Sequence, residues 1–156
     1  MPLAPQQIRK LKSRLNQRHV RTRDVEGRTI AYLEGWHVIA EANRIFGFDG
    51  WDRELVDSSC VYTRQQGERF NAAYTARIRI TVRAGEHWVT REGSGAGESS
   101  APTPGQAHEL ALKAAETDAT KRAFMTFGNP FGLSLYGPAK EEPARQGAAE
   151  DTKPSG

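Results

Sequence analysis

Phe70-Asn71-Ala72-Ala73-Tyr74-Thr75-Ala76-Arg77-Ile78-Arg79-Ile80-Thr81-Val82-Arg83 alternates without interruption. Phe70, Ala72, Tyr74, Ala76, Ile78, Ile80 and Val82 share one parity; Asn71, Ala73, Thr75, Arg77, Arg79, Thr81 and Arg83 share the other. Successive side chains on a strand point to opposite faces, so the stretch predicts one long strand from Arg69 to Arg83, apolar on one face and polar on the other. The apolar face requires a cover. The alanine-rich segment from about Gln106 to Phe127 supplies one, because Ala111, Ala114, Ala115, Ala119 and Ala123 let a helix approach a sheet closely.

Working outward, turns at Gln65-Gln66-Gly67-Glu68 and Ala84-Gly85 make this the middle strand of a meander. Its neighbours run from Trp51 to about Thr63 and from His87 to about Gly93. Upstream, Ile8, Leu11 and Leu15 have helical spacing between Pro5 and Leu15. Val20–Arg23 and Arg28–Leu33 read as a short hairpin about Asp24-Val25-Glu26-Gly27. A helix follows from Glu34 to Phe46, with Val38, Ile39, Ala42, Ile45 and Phe46 as its buried stripe and Gly47 as its stop. Gly93-Ser94-Gly95-Ala96-Gly97 and Ser99 to Gly105 read as a flexible connector, and Cys60 as a buried small hydrophobe within a strand. The fold class is α+β: a three-stranded antiparallel meander packed on a long helix, with an extra short hairpin and N-terminal helices. Residues 1–137 form the domain; residues 138–156, rich in Pro, Ala, Gly and charge, read as a flexible tail.

The 156 residues carry a net charge of only +3, so distribution matters more than the sum. The first 28 residues hold Arg9, Lys10, Lys12, Arg14, Arg18, Arg21, Arg23 and Arg28 against Asp24 and Glu26. An Arg-rich, acid-poor start also suits a mitochondrial presequence as an alternative to a cytoplasmic protein. A single cysteine excludes an internal disulfide framework. No apolar run has the length of a membrane span.

Catalytic patterns are lacking. Gly93-Ser94-Gly95-Ala96-Gly97 has no following Gly-Lys-Ser/Thr, so it is no phosphate loop, and Ser94 is not flanked as a nucleophile elbow. His19, His37, His87 and His108 are scattered and no zinc spacing exists. Asp49, Asp52, Asp57 and Glu92 are only loosely grouped, which argues against a metal-dependent nuclease. These absences imply a protein that is not an enzyme and needs no cofactor. Cations recur on several elements: Arg21 and Arg23 on the hairpin, Arg77, Arg79 and Arg83 on the sheet, Lys113, Lys121 and Arg122 on the last helix. Tyr32, Trp36, Trp51 and Tyr74 interleave with them. Single-strand binders combine a cationic groove with aromatic platforms. The competing readings are local: Asp118 and Arg122 have ion-pair spacing, Tyr74 falls on the core face, and Trp36 and Trp51 suit packing better than stacking.

Two blocks resemble a known family. Tyr32-Leu33-Glu34-Gly35-Trp36-His37-Val38-Ile39 with Ala42-Asn43-Arg44-Ile45-Phe46-Gly47-Phe48-Asp49-Gly50-Trp51 is similar to the hairpin–helix block of the Rad52 single-strand annealing proteins. Thr117-Asp118, Lys121-Arg122-Ala123 and Phe127-Gly128-Asn129 resemble that family's helix signature. The resemblance runs from about Val20 to Gly132. It implies a β-β-β-α core, assembly into a ring of about ten or more subunits, and single-stranded DNA held in a positive groove, backbone inward and bases outward. It implies an inner DNA site of Lys121, Arg122, Tyr32, Lys113 and Arg23, with Arg21 as the one-residue-slip alternative. An outer site would use Arg83, with Arg79 and Arg77 on the same face.

The resemblance implies ATP-independent annealing of complementary strands in homologous recombination and double-strand break repair. It also leaves a recombinase or a single-strand binding protein as candidate partners. Met125 replaces a further cation of the eukaryotic members, and Pro102, Thr103 and Pro104 replace lysines after the connector. The chain ends soon after the block, which suggests a bacterial or phage member associated with the nucleoid. The main rival is a double-stranded-RNA-binding-like module, which shares the α-β-β-β-α order without annealing.

Overall fold

A computed structural model describes residues 3–135. The predicted tail at 138–156 lies outside the described residues. The elements are α1 (Pro5–Lys12), a 3-10 turn (Gln17–His19), β1 (Val20–Val25), β2 (Arg28–Leu33), α2 (Gly35–Phe46), β3 (Trp51–Gln66), β4 (Arg69–Ala84), β5 (His87–Ala101) and α3 (Pro104–Met125). Two further 3-10 turns, Asn129–Phe131 and Leu133–Leu135, follow. β1 and β2 form one antiparallel ribbon, and β3-β4-β5 form a separate antiparallel sheet. The β1–β2 turn carries positive φ at both Glu26 (53°) and Gly27 (79°), the primed geometry whose twist suits a tight hairpin.

The β4 alternation is realised as read. Ala72, Ala76, Ile78, Ile80 and Val82 are buried, whereas Thr75, Arg77 and Arg83 are exposed. Ala73, of the polar parity, is also buried. It pairs with Tyr62 and Glu98, and the Tyr62 hydroxyl donates across it to Glu98 at 3.3 Å. The main core joins this β4 face to Phe124, Phe127 and Phe131, to Val38, Ala42, Ile45 and Phe46 of α2, and to Leu11 of α1. Trp51, partly buried, packs edge-on against Phe124 at the side of the core and donates its Nε1–H to Asn43 at 2.8 Å. Arg91 closes the C-terminal end of α3, donating to the Thr126 carbonyl at 3.0 Å, where a cation offsets unpaired helix carbonyls.

The glycine-rich segment is not a connector. β5 continues through it to Ala101, paired with β4 along its whole length. Gly93, Gly95 and Gly97 lie on the face covered by α3. A Cβ on Gly95 would stand 2.3 Å from the Ala119 nitrogen, on Gly93 2.4 Å from the Ala123 nitrogen, and on Gly97 2.5 Å from the Ala115 nitrogen. Two strand residues advance about 6.6 Å and four helix residues about 6 Å, so glycines at every second position meet alanines at every fourth. Glycine serves here because the helix backbone occupies the space of a side chain.

Cys60 is exposed rather than buried. α3 lies over β4 and β5 and leaves much of β3 uncovered, so Leu55 and Val61 are exposed with it. β3 reaches the helix near its two ends. Arg53 donates to Thr120 and Glu116, and Thr63 lies 3.3 Å from His108 Nε2, whose Nδ1 lies 2.8 Å from the Tyr74 hydroxyl.

Candidate nucleic-acid interface

The hairpin, the start of α2 and the last turns of α3 converge. Gly35 opens α2, and a Cβ there would stand 2.8 Å from Thr117 Cγ2, so its small size allows α2 to cross α3 closely. One turn further along α3, Lys121 Nζ donates to the Leu33 carbonyl oxygen at 2.9 Å. The same ammonium stands 5.3 Å from the Tyr32 ring centroid, and the Arg23 guanidinium stands 5.3 Å from it as well. Tyr32 is thus contacted by one cation from its own hairpin and one from α3, an attraction to the ring quadrupole. Burial pushes the Lys121 ammonium below the usual lysine range; Asp118 and Glu34 oppose the shift, and Arg23 and Arg122 add to it. Cations held this close repel one another, and an anion between them relieves that repulsion.

The structure separates the two hairpin arginines. Arg23 joins Tyr32. Arg21 pairs with Glu34 at 3.1 Å and donates to the Arg18 carbonyl. Arg122, next to Lys121, pairs with Asp118 at 3.2 Å, and its side chain is 48% exposed. Asp118 also accepts the Ala96 N–H at 3.1 Å, tying α3 to β5. Lys113, two turns before Lys121, pairs loosely with Glu109, both side chains more than half exposed. It lines a groove of about 400 Å³ with Gly35, Trp36, Ile39, Arg53 and Thr117. Trp36 is 61% exposed, so packing does not account for it. The sequence suited Trp36 to packing although it lies outside the Val38, Ile39, Ala42, Ile45 and Phe46 stripe of α2, and the structure leaves its indole exposed.

The sheet arginines form a different arrangement. Arg77 pairs with Asp57 at 2.9 Å and with Glu92 at 3.7 Å; Arg79 pairs with Glu92 at 2.9 Å and Glu54 at 3.2 Å. Three carboxylates thus surround two guanidinium groups. Arg83 lies apart at the end of β4, 5.2 Å from the Trp88 ring. The sheet does not present these three as one cationic surface, and none of them approaches the Lys121 cluster.

Among the described residues no three His, Cys, Asp or Glu side chains are grouped to hold a metal ion, and no helix is long and apolar enough to cross a membrane. The small cavity beside α1, lined by Asn16, His19, His37, Glu41, Arg44 and Pro130 among others, contains a stacked His19–His37 pair with centroids 4.2 Å apart.

Comparison with known proteins places these features in a family context. Residues 5–153 match the family model described as Rad52/22 family double-strand break repair protein. The chain is 39% identical over 130 residues to a DNA repair and recombination protein RAD52 of Eremothecium gossypii, covering 81% of this chain and 29% of that protein. It is 40% identical over 109 residues to RAD52 of Saccharomyces cerevisiae, covering 69% of this chain and 22% of that protein. It is 35% identical over 112 residues to the DNA repair and recombination protein rti1 of Schizosaccharomyces pombe, covering 70% of this chain and 29% of that protein. The chain therefore spans less than a third of the length of these relatives. All three are fungal, so the expectation of a bacterial or phage member and of a nucleoid location is not borne out; it rested on where the chain ends, which is no guide to its source.

Proposed function

The chain belongs to the Rad52/22 family, and from that premise we propose that it binds single-stranded DNA by its phosphates and anneals complementary strands without nucleotide hydrolysis. The observation that carries the reading is the placement of Arg23 and Lys121 on one tyrosine ring, with Arg122 beside them. Two cations from two elements converge on Tyr32, Arg122 is near enough for its charge to act on Lys121, and a phosphate backbone offers all three a shared counter-charge. Lys113 extends the cationic track along α3. Its pair with Glu109 is an exposed i,i+4 contact worth only a few tenths of a kcal/mol, so a phosphate displaces it easily.

Annealing needs no bond chemistry. It requires strands held by phosphates, base edges left available, and repulsion between two polyanions reduced. Each phosphate contact on a single strand contributes a slope of about −0.7 to the logarithm of affinity against the logarithm of salt. One subunit offers few contacts, so self-association into a ring multiplies them by effective concentration. The sixteen-residue β3 has one paired edge and exposed Leu55 and Val61, which supports a second copy as partner. Repair of double-strand breaks by recombination is the process this activity serves.

The test is annealing of complementary oligonucleotides without ATP or metal, alongside competition between single-stranded DNA and duplex RNA. The reading requires accelerated annealing and preference for single strands. Preference for duplex RNA without annealing contradicts it and returns the chain to the RNA-binding alternative.

A further inference from the structure

Trp36 is held on two sides and open on the rest. Its Nε1–H donates to Glu34 Oε1 at 3.0 Å, and the imidazole of His37 meets it at 86° with centroids 5.8 Å apart. Despite these contacts 61% of the residue is exposed. It forms one wall of the groove of about 400 Å³ between α2, α3 and β3, with Ile39 as a further apolar contact, Lys113 as an exposed cation, and Arg53 paired within the groove to Glu116 at 2.9 Å. Leu33 and Glu34, consecutive in the chain, thus hold Lys121 and the Trp36 indole respectively.

We propose that this groove is a nucleobase pocket and that Trp36 stacks one base of the bound strand in each subunit. The proposal rests on the single-strand reading above and adds a base contact to a phosphate site. A free aromatic ring fixed at its rim loses little entropy on stacking, and base–aromatic stacking tolerates any sequence because every base has a π-face. Lys113 argues for this occupant over an apolar one: it lies exposed at the groove, where a backbone phosphate follows its base. The remaining bases stay available for pairing.

The probes are two oligonucleotides of equal length, one of thymidine and one wholly abasic, with identical phosphate count. Wild type should bind the thymidine oligonucleotide about tenfold more tightly for each subunit the strand engages, the effect of one stack per subunit. Trp36→Ala should remove that preference and leave the salt slope unchanged; Trp36→Phe should retain most of it. Equal binding of both probes by wild type overturns the proposal. So does a Trp36→Ala variant that keeps the preference, or one that loses it together with its oligomeric state in sedimentation, since Trp36 would then be a subunit contact. Failure of wild type to bind either probe at low salt rejects the DNA-binding reading itself.

Discussion

Lys121 Nζ donates to the Leu33 carbonyl oxygen across 88 residues of chain, so the cation central to the proposed DNA site also ties α3 to the hairpin. The helix signature is in large part a packing motif. Thr117 meets Gly35, Asp118 binds the Ala96 N–H, and Lys121 holds Leu33. Loss of binding on changing Lys121 therefore has two physical sources, and the variants must separate them.

Lys121→Ala leaves the Leu33 carbonyl without its charged donor. It should lower unfolding free energy by about 1.5–3 kcal/mol in a urea titration, the range for a hydrogen bond to a charged group. Arg122→Ala, on a half-exposed side chain, should change it by about 0.5 kcal/mol or less. Equal stability of the two variants contradicts the structural role of Lys121.

The β5 glycines give a sharper contrast. Gly95→Ala drives a Cβ to 2.3 Å from the Ala119 nitrogen, where only backbone can move, and should cost more than about 3 kcal/mol or prevent soluble expression. Gly105→Ala, in the first turn of α3 with nothing within 4 Å of the added Cβ, should be neutral or stabilise by up to about 1 kcal/mol. A thermal melt of each variant decides.

That contrast shows what was legible in the sequence. The β4 alternation and the alanine-rich helix were, because each carries its own period and the two faces need each other. Gly93 to Gly97 was not, because glycine composition looks the same in a link and in a strand pressed against a backbone. The legible clue was joint: glycines two apart facing Ala111, Ala115, Ala119 and Ala123 four apart. The cationic residues were nameable, but not their partners. Arg77 and Arg79 needed the strand register to show Glu54, Asp57 and Glu92 around them. Arg23 and Arg21 needed the hairpin geometry to be told apart.

DNA binding should follow those partners. Arg77→Ala and Arg79→Ala should change single-strand affinity by less than about threefold, because each guanidinium is engaged by two carboxylates. Fluorescence anisotropy with a labelled oligonucleotide measures it. A tenfold loss in either variant would place the sheet face in the site.

Stability should fall with acid through His37. Burial lowers its pKa below the ordinary 6.5, with the charge of His19 adding to the shift, Glu41 opposing it, and Arg44 and Arg21 adding again. The folded state therefore favours neutral imidazole. The stabilisation is complete above pH 6.5 and is lost as pH falls through the lower folded value. Melting temperature should drop across that interval in wild type, and His37→Gln should flatten the drop. An unchanged profile in the variant excludes His37 as its source.

The most direct measurement is the salt dependence of single-strand binding by the double variant Arg23→Ala/Arg122→Ala, checked for an unchanged melt and oligomeric state. It leaves Lys121 and its bond to Leu33 intact while removing two of the three clustered cations. The log–log slope should become shallower by about 1.4 per subunit engaged, two contacts at about 0.7 each, with affinity at low salt down by more than about tenfold and annealing slowed in parallel. A double variant with the wild-type slope, affinity and annealing rate would contradict the assignment of the DNA site to this cluster.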